Sequence, residues 1–507
     1  MTREPLAVRP RAMENARPLT RHGSPDQQVN IFKIAKHLMQ TVRIGLLIAV
    51  TTLIASNVCP AAAAEDATGF IHVKQIDGVW WFINADGEKF VSIGVNHIEP
   101  HLWLAPYNKA ATLKKYGHDM VGPDGHFNTN GDAAKKWIDA QVKTTRELGF
   151  NTFGKHTHPA IDPKLFQQHI YYIASLDTAP LAGWQERRGR GPRPDVFSVD
   201  FENHVASRVR QVTDLHKDQK NLIGYLYTDV PSWVMGRADQ MERNDTTMIY
   251  PWINAILPLG ESSPGKLRWL EHLKQRYPNA ETAAKVWGLP ISPTYGISWM
   301  EMARQTDWSN ATDVASAKKD MLAFMPIIAE QWYSLHARLI RKHDPNHLIL
   351  GDKNMVMWHY DFMLPAIKKH VDVVCVQAYG PWEKDRKLCN MIYEATGKPI
   401  FNGDGCFGLA GPKQQEWGVK GFRTGAKSLE EVATMYEEML RGMMSTPYYI
   451  GWHHCGYMEQ WDEAERGDAP RNENGFLDPL ERHRTAWTSV LKNVNPDAAN
   501  LHESAGH

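Results

Sequence analysis

Cysteine is scarce in this chain. Five occur in 507 residues, none in a Cys-x-x-Cys pair, so the sequence carries no zinc signature. A basic tract is also missing. Lys and Arg number 57 against 57 Asp and Glu, and residues 1–64 hold eight of the basic residues and three of the acidic ones. The rest of the chain therefore has 49 basic and 54 acidic residues. That acidic excess excludes nucleic-acid binding, which rests on neutralising phosphates. No G-x-G-x-x-G opens the first strand–helix unit and no P-loop occurs, so nucleotide chemistry has no support. With 43% hydrophobic and 22% charged residues, the composition fits a soluble globular protein, neither disordered nor polytopic.

The basic head reads as an address. Ile44–Ile54 is an apolar run of 11 residues, too short to span a bilayer. It follows Arg43 and precedes Ala61–Ala64, the order of a secretory signal, with cleavage expected after Ala64. Met39 offers an ordinary signal start, which makes residues 1–38 an over-extended start or a tail. A buried helix or an uncleaved anchor is the alternative. Cys59 follows Ser56-Asn57-Val58 and lacks the small residue that a lipoprotein signal places before its cysteine. A secreted or periplasmic location without a stable membrane anchor is expected. Cys375, Cys389, Cys406 and Cys455 remain, and for these both free thiols and disulfides stay open, since export permits bridges but a chain this long can bury a core without them.

Behind a short β-like passage, Phe70–Phe82, eight short apolar runs alternate with helical stretches. They are Phe90–Val95, Phe150–Phe153, Ile170–Ser175, Leu222–Tyr227, Leu348–Gly351, Val371–Val376, Pro399–Asn402 and Tyr448–Trp452. Nearly all-apolar strands separated by amphipathic segments such as Ala134–Leu148 and Leu429–Met444 imply a parallel sheet covered by helices. Eight repeats point to an α/β fold of the (β/α)8 TIM barrel type, with a doubly wound open sheet as the alternative. The expected divisions are 1–64 (leader), 65–89 (N-terminal β segment), 90–495 (barrel) and 496–507 (tail). A helical insertion at about 234–315 follows strand four, containing Trp252, Trp269, Trp287, Trp299 and Trp308 within the long connection. It is expected to shape one wall of the cleft, unless those indoles merely close a local core.

Chemistry in such a barrel belongs at the C-terminal ends of the strands. Those ends carry Asn96 and His97 (strand one), Lys155, His156 and His158 (two), Asp177 (three) and Asp229 (four). Strand five ends Gly351-Asp352-Lys353-Asn354. Gln377, Tyr379 and Trp382 follow on six, Asp404 on seven, and Trp452 and His453 on eight. A rim of carboxylates, amides, histidines and indoles without a phosphate loop suits a neutral, hydroxyl-covered ligand: sugar CH faces stack on indoles, and carboxylates and amides take hydroxyls.

The segments Phe90–His97, Leu222–Trp233, Val371–Tyr379, Pro399–Phe407 and Ile450–Tyr457, with the closing Asn474–Asp478, resemble the (β/α)8 glycoside hydrolases of the β-galactosidase and β-agarase clan. Agarase-like members are most similar. The resemblance implies a hydrolase acting on β-linked, galactose-containing poly- or oligosaccharide, with Trp452 as the floor of the sugar site and Tyr379 orienting the strand-seven carboxylate. It also exposes a departure. The clan places a catalytic Glu after strand four and another at the end of strand seven; here Pro231 and Asp404 stand at those positions.

Asp229 lies two residues before Pro231, and side chains on a strand repeat every two residues, so Asp229 offers a substitute one step deeper. Asp404 is a methylene shorter than glutamate. Both changes are expected to widen the gap between carboxyls towards the inverting range. In that scheme Asp229 is an acid with a raised pKa and Asp404 an ionised base. Asn96, His97, Lys155, His156, His158, Asp177, Gln377, Trp382 and His453 are expected to bind substrate, and Asp352 and Glu459 are reserve carboxylates. His156 and His158 share a face on which, with Asp177, a metal is conceivable, but the spacing supplies no full ligand set and no cofactor is expected. A catalytically silent sugar-binding barrel is the alternative from another class.

Overall fold

A computed structural model describes residues 67–157, 161–167, 169–178, 194–229, 231, 233, 251–305, 311–355, 361–379, 382–409, 424–461, 470–472 and 474–506. The leader expected at 1–64, His158 and Trp308 lie outside them. Among the described residues no helix is long and apolar enough to cross a membrane.

The first strands, β1 (His72–Ile76), β2 (Val79–Ile83) and β3 (Lys89–Phe90), form an antiparallel sheet in that order. Asn84 makes the turn before β3, its side-chain oxygen accepting from the N–H groups of Asp86 at 3.0 Å and Glu88 at 2.8 Å. Then come β4 (Ser92–Val95), β5 (Thr152–Phe153), β6 (Tyr171–Ser175), β7 (Leu222–Asp229), β8 (Leu348–Met355), β9 (Val374–Gln377) and β10 (Ile400–Gly405). A small parallel pair, β11 (Phe407–Leu409) and β12 (Thr424–Ala426), precedes β13 (Tyr449–His454). Strands β4 to β10 and β13 close into a parallel barrel, each neighbour in chain order, with β13 pairing back to β4. The eight apolar runs of the sequence are these eight strands.

Two hydrophobic layers hold the barrel. Ile71, Phe82 and Phe90 pack with Ile173, Ile223, Leu348, Val373, Phe401 and Ile450, residues at or near the strand starts. The N-terminal sheet thus plugs the barrel floor, which leaves the opposite end for chemistry. Outside the strands, amphipathic helices bury one face each. In Asp132–Glu147 the buried set Ala134, Trp137, Ile138, Gln141, Val142 and Thr145 follows the spacing of one helical face. Ser198 caps Val199–His216 and Ser428 caps Leu429–Met444, each side chain accepting a first-turn N–H.

Among the described residues, the connection from β7 to β8 carries four helices, Pro251–Ile256, Pro264–Arg276, Ala280–Trp287 and Trp299–Ala303, before the barrel helix Val314–His343. Its described indoles fit the alternative of a local core. Trp252, Trp269 and Trp287 are buried; Trp252 stacks on Trp233 at 4.6 Å and meets Trp332 edge-on at 5.3 Å. Trp299 packs, half-buried, on the same core. These indoles close the insertion against the helix below. Cys375, Cys389, Cys406 and Cys455 are all buried free thiols.

Candidate functional site

Irregularities in the strands decide which side chains enter the barrel mouth. On β7, Tyr225 and Tyr227 belong to the outer hydrophobic layer, and strict alternation would send Asp229 outward with them. The ladder slips between Leu226 and Asp229, three residues of β7 against Gly351 to Lys353 of β8. That bulge turns Asp229 inward. A second slip, where Tyr225 pairs Ile349 but Leu226 pairs Gly351, does the same for β8. Gly351 has φ +68°, a left-handed conformation that glycine adopts without a Cβ clash. Beyond it Lys353 faces inward, while Asp352 faces the helix layer and accepts from the Trp332 indole at 3.0 Å. A third slip between Asn402 and Gly405 accompanies Asp404 on β10.

The result is a charged cluster sharing one lysine. Lys353 Nζ, 0% exposed, lies 2.9 Å from Asp229 Oδ1 and 2.5 Å from Asp404 Oδ2. Asn96 Nδ2 donates to Asp404 Oδ1 at 3.0 Å, and Gln377 Nε2 donates to Asp404 Oδ2 at 2.9 Å and to the Tyr379 hydroxyl. Towards the surface, Asp229 Oδ2 is 3.1 Å from His156 Nε2. The His156 ring stacks on His97, centroids 4.4 Å apart and planes 7° from parallel, and His97 Nδ1 is held by Glu99 Oε2 at 2.9 Å. His97 and His156 both sit at positive φ, +65° and +67°. Two non-glycine residues held this way at adjacent strand ends mark a locally strained rim.

Electrostatics follow from the shared lysine. Burial alone would raise both carboxyls, but the surrounding cationic groups, Lys353 foremost and the neighbouring imidazoles with it, together outweigh burial, holding Asp229 well below the usual carboxylate range and Asp404 at about 2. The two anions in turn raise the Lys353 ammonium against the effect of its burial. His156 lies below the ordinary imidazole value, because burial and the neighbouring His97 outweigh Asp229. His97 lies above it, burial being overcome by Cys455 and Glu99. Asp352 is pushed up to about 7 by burial, against hydrogen bonds from Tyr333 and Trp332.

This geometry corrects the acid role expected for Asp229. Its carboxyl is an anion locked to an ammonium, with no raised pKa and no proton to give near neutrality. His156, Asp229 and Asp404 each offer one atom within 4.8 Å of the other two. The Lys353 ammonium lies against both carboxylates.

Of the other expected residues, Asn96, His97, His156, Gln377 and Tyr379 join the cluster. Lys155 lies beside it, donating to Asp177 Oδ1 at 2.6 Å and Ser175 Oγ at 2.7 Å. Three stand apart. His453 is buried below the rim, bonded to Ser92 Oγ at 2.8 Å, where a Cβ on Gly94 or Gly154 would overlap its ring. Trp452, 1% exposed, points outward against Tyr436 at 4.8 Å, leaving no free face for a sugar. Trp382 packs on Tyr449 at 5.3 Å and against Gly442. Glu459 is paired with Arg484 at 2.6 Å. Lys353 and Glu99 are the residues that sequence reasoning missed as members of the site. The sequence signal for Lys353 was Gly351, which breaks the alternation two residues earlier.

The donors also test for a metal. In one trio, His156 with Asp229 and Asp404, the ammonium already supplies the positive charge. In the other, His97 with Glu99 and His156, the imidazoles are parallel, so their in-plane lone pairs run side by side instead of converging on one ion. Neither trio is shaped as a metal centre.

No family model matches the chain. It is 22% identical to β-agarase B of Vibrio sp. (strain JT0107) over 496 aligned residues, covering 85% of this chain and 48% of that protein. Against β-agarase A of the same strain the identity is 22%, covering 83% and 45%. The chain thus spans about half the length of these relatives. Among solved structures, an agarase superposes with a TM-score of 0.66 at 19% identity, over 87% of this chain and 66% of that one. An exo-β-agarase gives 0.66 at 18%, over 86% and 65%. The barrel fold is that of these agarases.

Proposed function

We propose that this protein is an exported glycoside hydrolase acting on β-linked, galactose-containing poly- or oligosaccharide. The observation that carries this reading is the placement of Asp229 and Asp404 at the ends of the fourth and seventh barrel strands, offering oxygens within 4.8 Å across the mouth. Their position in a barrel that superposes on agarases, and the similarity to two β-agarases, support the substrate class. Asp404 is the carboxylate that faces the anomeric carbon. Its low pKa keeps it ionised, and Asn96, Gln377 and Lys353 fix its orientation.

Activity on agarose and on β-linked galacto-oligosaccharides, followed by reducing-sugar release, tests the reading. Asp404→Asn should lower the rate by about 10²–10⁴-fold, the usual worth of such a group. Unchanged turnover in that variant would remove Asp404 from the chemistry. A second reading, a silent sugar-binding barrel, is favoured by the Lys353 clamp and by the 3% exposure of Asp404. Binding of galactans without release of any product would establish it. Export is checked by N-terminal sequencing: secreted material should begin near Glu65, and a start before Ile44 would exclude a cleaved leader.

A further inference from the structure

The Lys353 clamp leaves a question open. If Asp229 is an anion tied to an ammonium, the proton for the departing sugar oxygen must come from elsewhere. One neighbour is built to supply it. His156 uses Nε2 towards Asp229 Oδ2, and among the described residues its Nδ1 has no hydrogen-bond partner, while the side chain remains 24% exposed at the mouth. A carboxylate on one ring nitrogen and a free second nitrogen form the arrangement that fixes an imidazole's tautomer and leaves the other nitrogen to exchange protons. The backbone at φ +67° and the His97 ring stacked at 4.4 Å hold the imidazole in place.

We propose that His156 is the proton-transferring residue of the glycosidic reaction, working through Nδ1, with Asp229 and His97 as its positioning residues. This rests on the hydrolase reading above. In the first half, the Nδ1–H bond breaks and the proton passes to the glycosidic oxygen as the C1–O bond breaks. A lone pair of the Asp404 carboxylate then forms the new C1–O bond. In the second half, water attacks C1, its proton goes to Nδ1, and the bond from C1 to Asp404 breaks to return the carboxylate. Among the described residues, the charged groups facing His156 are His97 and Glu99 after β4, Lys155 beside it, Asp229, Lys353 and Asp404. Burial, His97 and Lys353 favour the neutral ring, whereas Asp229 favours the charged one. Turnover should therefore decline on the alkaline side with a midpoint below the ordinary imidazole value.

The test uses His156→Gly, because glycine accepts the left-handed backbone of this position without strain. With unchanged melting behaviour, turnover of β-galactooligosaccharide should fall about 10²–10³-fold. Added imidazole should restore part of it. The loss should be much smaller on a dinitrophenyl β-galactoside, whose leaving group needs no proton; an equal loss on both substrates would overturn the assignment. His97→Asn, again compatible with positive φ, removes a cation beside His156 and should move the alkaline limb to higher pH; an unmoved limb also counts against it. In the intact protein, imidazole nitrogen NMR should find neutral His156 carrying its proton on Nε2, and the Nδ1–H tautomer would overturn the proposal whatever the variants do. Wild-type turnover that survives in His156→Gly sinks this assignment alone, whereas no turnover by the wild type on any galactan sinks the hydrolase reading and this with it.

Discussion

Two buried carboxylates, Asp320 in the helix below the insertion and Asp404 in the barrel mouth, look alike by burial and by having a cation each. Asp320 accepts from Arg276 Nε at 2.7 Å, the Tyr277 hydroxyl at 2.5 Å and the Trp287 indole at 2.7 Å. Its partners come from two helices of the insertion, Pro264–Arg276 with the Tyr277 that ends it and Ala280–Trp287, and tie both to its own helix. Asp404 accepts from Lys353, Asn96 and Gln377, but its lysine is shared with a second carboxylate, and that carboxylate leads to a partly exposed pair of histidines. The difference is in the surplus of negative charge. One cation for one anion makes a structural tie; one cation for two anions, opening on titratable groups at strained backbone, makes a site able to handle protons.

Removing Lys353 should break this comparison most severely. In Lys353→Met two carboxylates face each other in the interior without a counter-ion. Loss of one partner from a buried pair costs about 3–5 kcal/mol, so the melting temperature should fall clearly at neutral pH. The sign with pH is also set. In the wild type both carboxyls have folded-state pKa values below their unfolded ones, so their stabilisation is present above about 4 and is lost as pH falls towards about 2. In the variant, repulsion and burial raise one carboxyl above its unfolded value. Its stability deficit should then shrink as pH is lowered through the folded-state value. Thermal melts of both proteins between pH 3 and 8 check this, and parallel curves would show that the ammonium does not set the charge of the pair.

The fold was legible because strand composition and helical periodicity are local. Each of the eight runs is largely apolar over four to six residues, and the packing of Ile223, Val373 or Ile450 requires nothing else from the sequence. The site was legible in part. Asp229, Asp404, Asn96, His156 and Gln377 sit at strand ends, where a barrel keeps its chemistry. What escaped was the direction of side chains beyond the bulges. Counting from the inward Leu348 and Leu350, a straight strand sends Asp352 into the lumen and Lys353 outward; Gly351 reverses both. For the same reason the acid role expected of Asp229 failed: its charge state depends on a lysine whose arrival required two register slips on neighbouring strands. Trp452 shows the converse. Its strand is regular there, and regular alternation puts it opposite His453, facing the helix layer.

Asp320→Asn sharpens the comparison with the smallest effect. The amide keeps an oxygen for the Trp287 and Tyr277 donors but loses the charge that holds Arg276, whose side chain is only partly shielded from water. A hydrogen bond to a charged group contributes roughly 1.5–3 kcal/mol, and solvent screening at Arg276 places the expected loss near the lower end. Because Asp320 ties helices and borders no part of the barrel mouth cluster, kcat and KM at temperatures below the melt should equal those of the wild type. Urea unfolding followed by tryptophan fluorescence would register the change, since Trp269 and Trp287 stack in the same core. If the variant instead altered KM at unchanged stability, the insertion would be part of the substrate cleft after all, and the division between a structural tie and a proton-handling site would have to be redrawn.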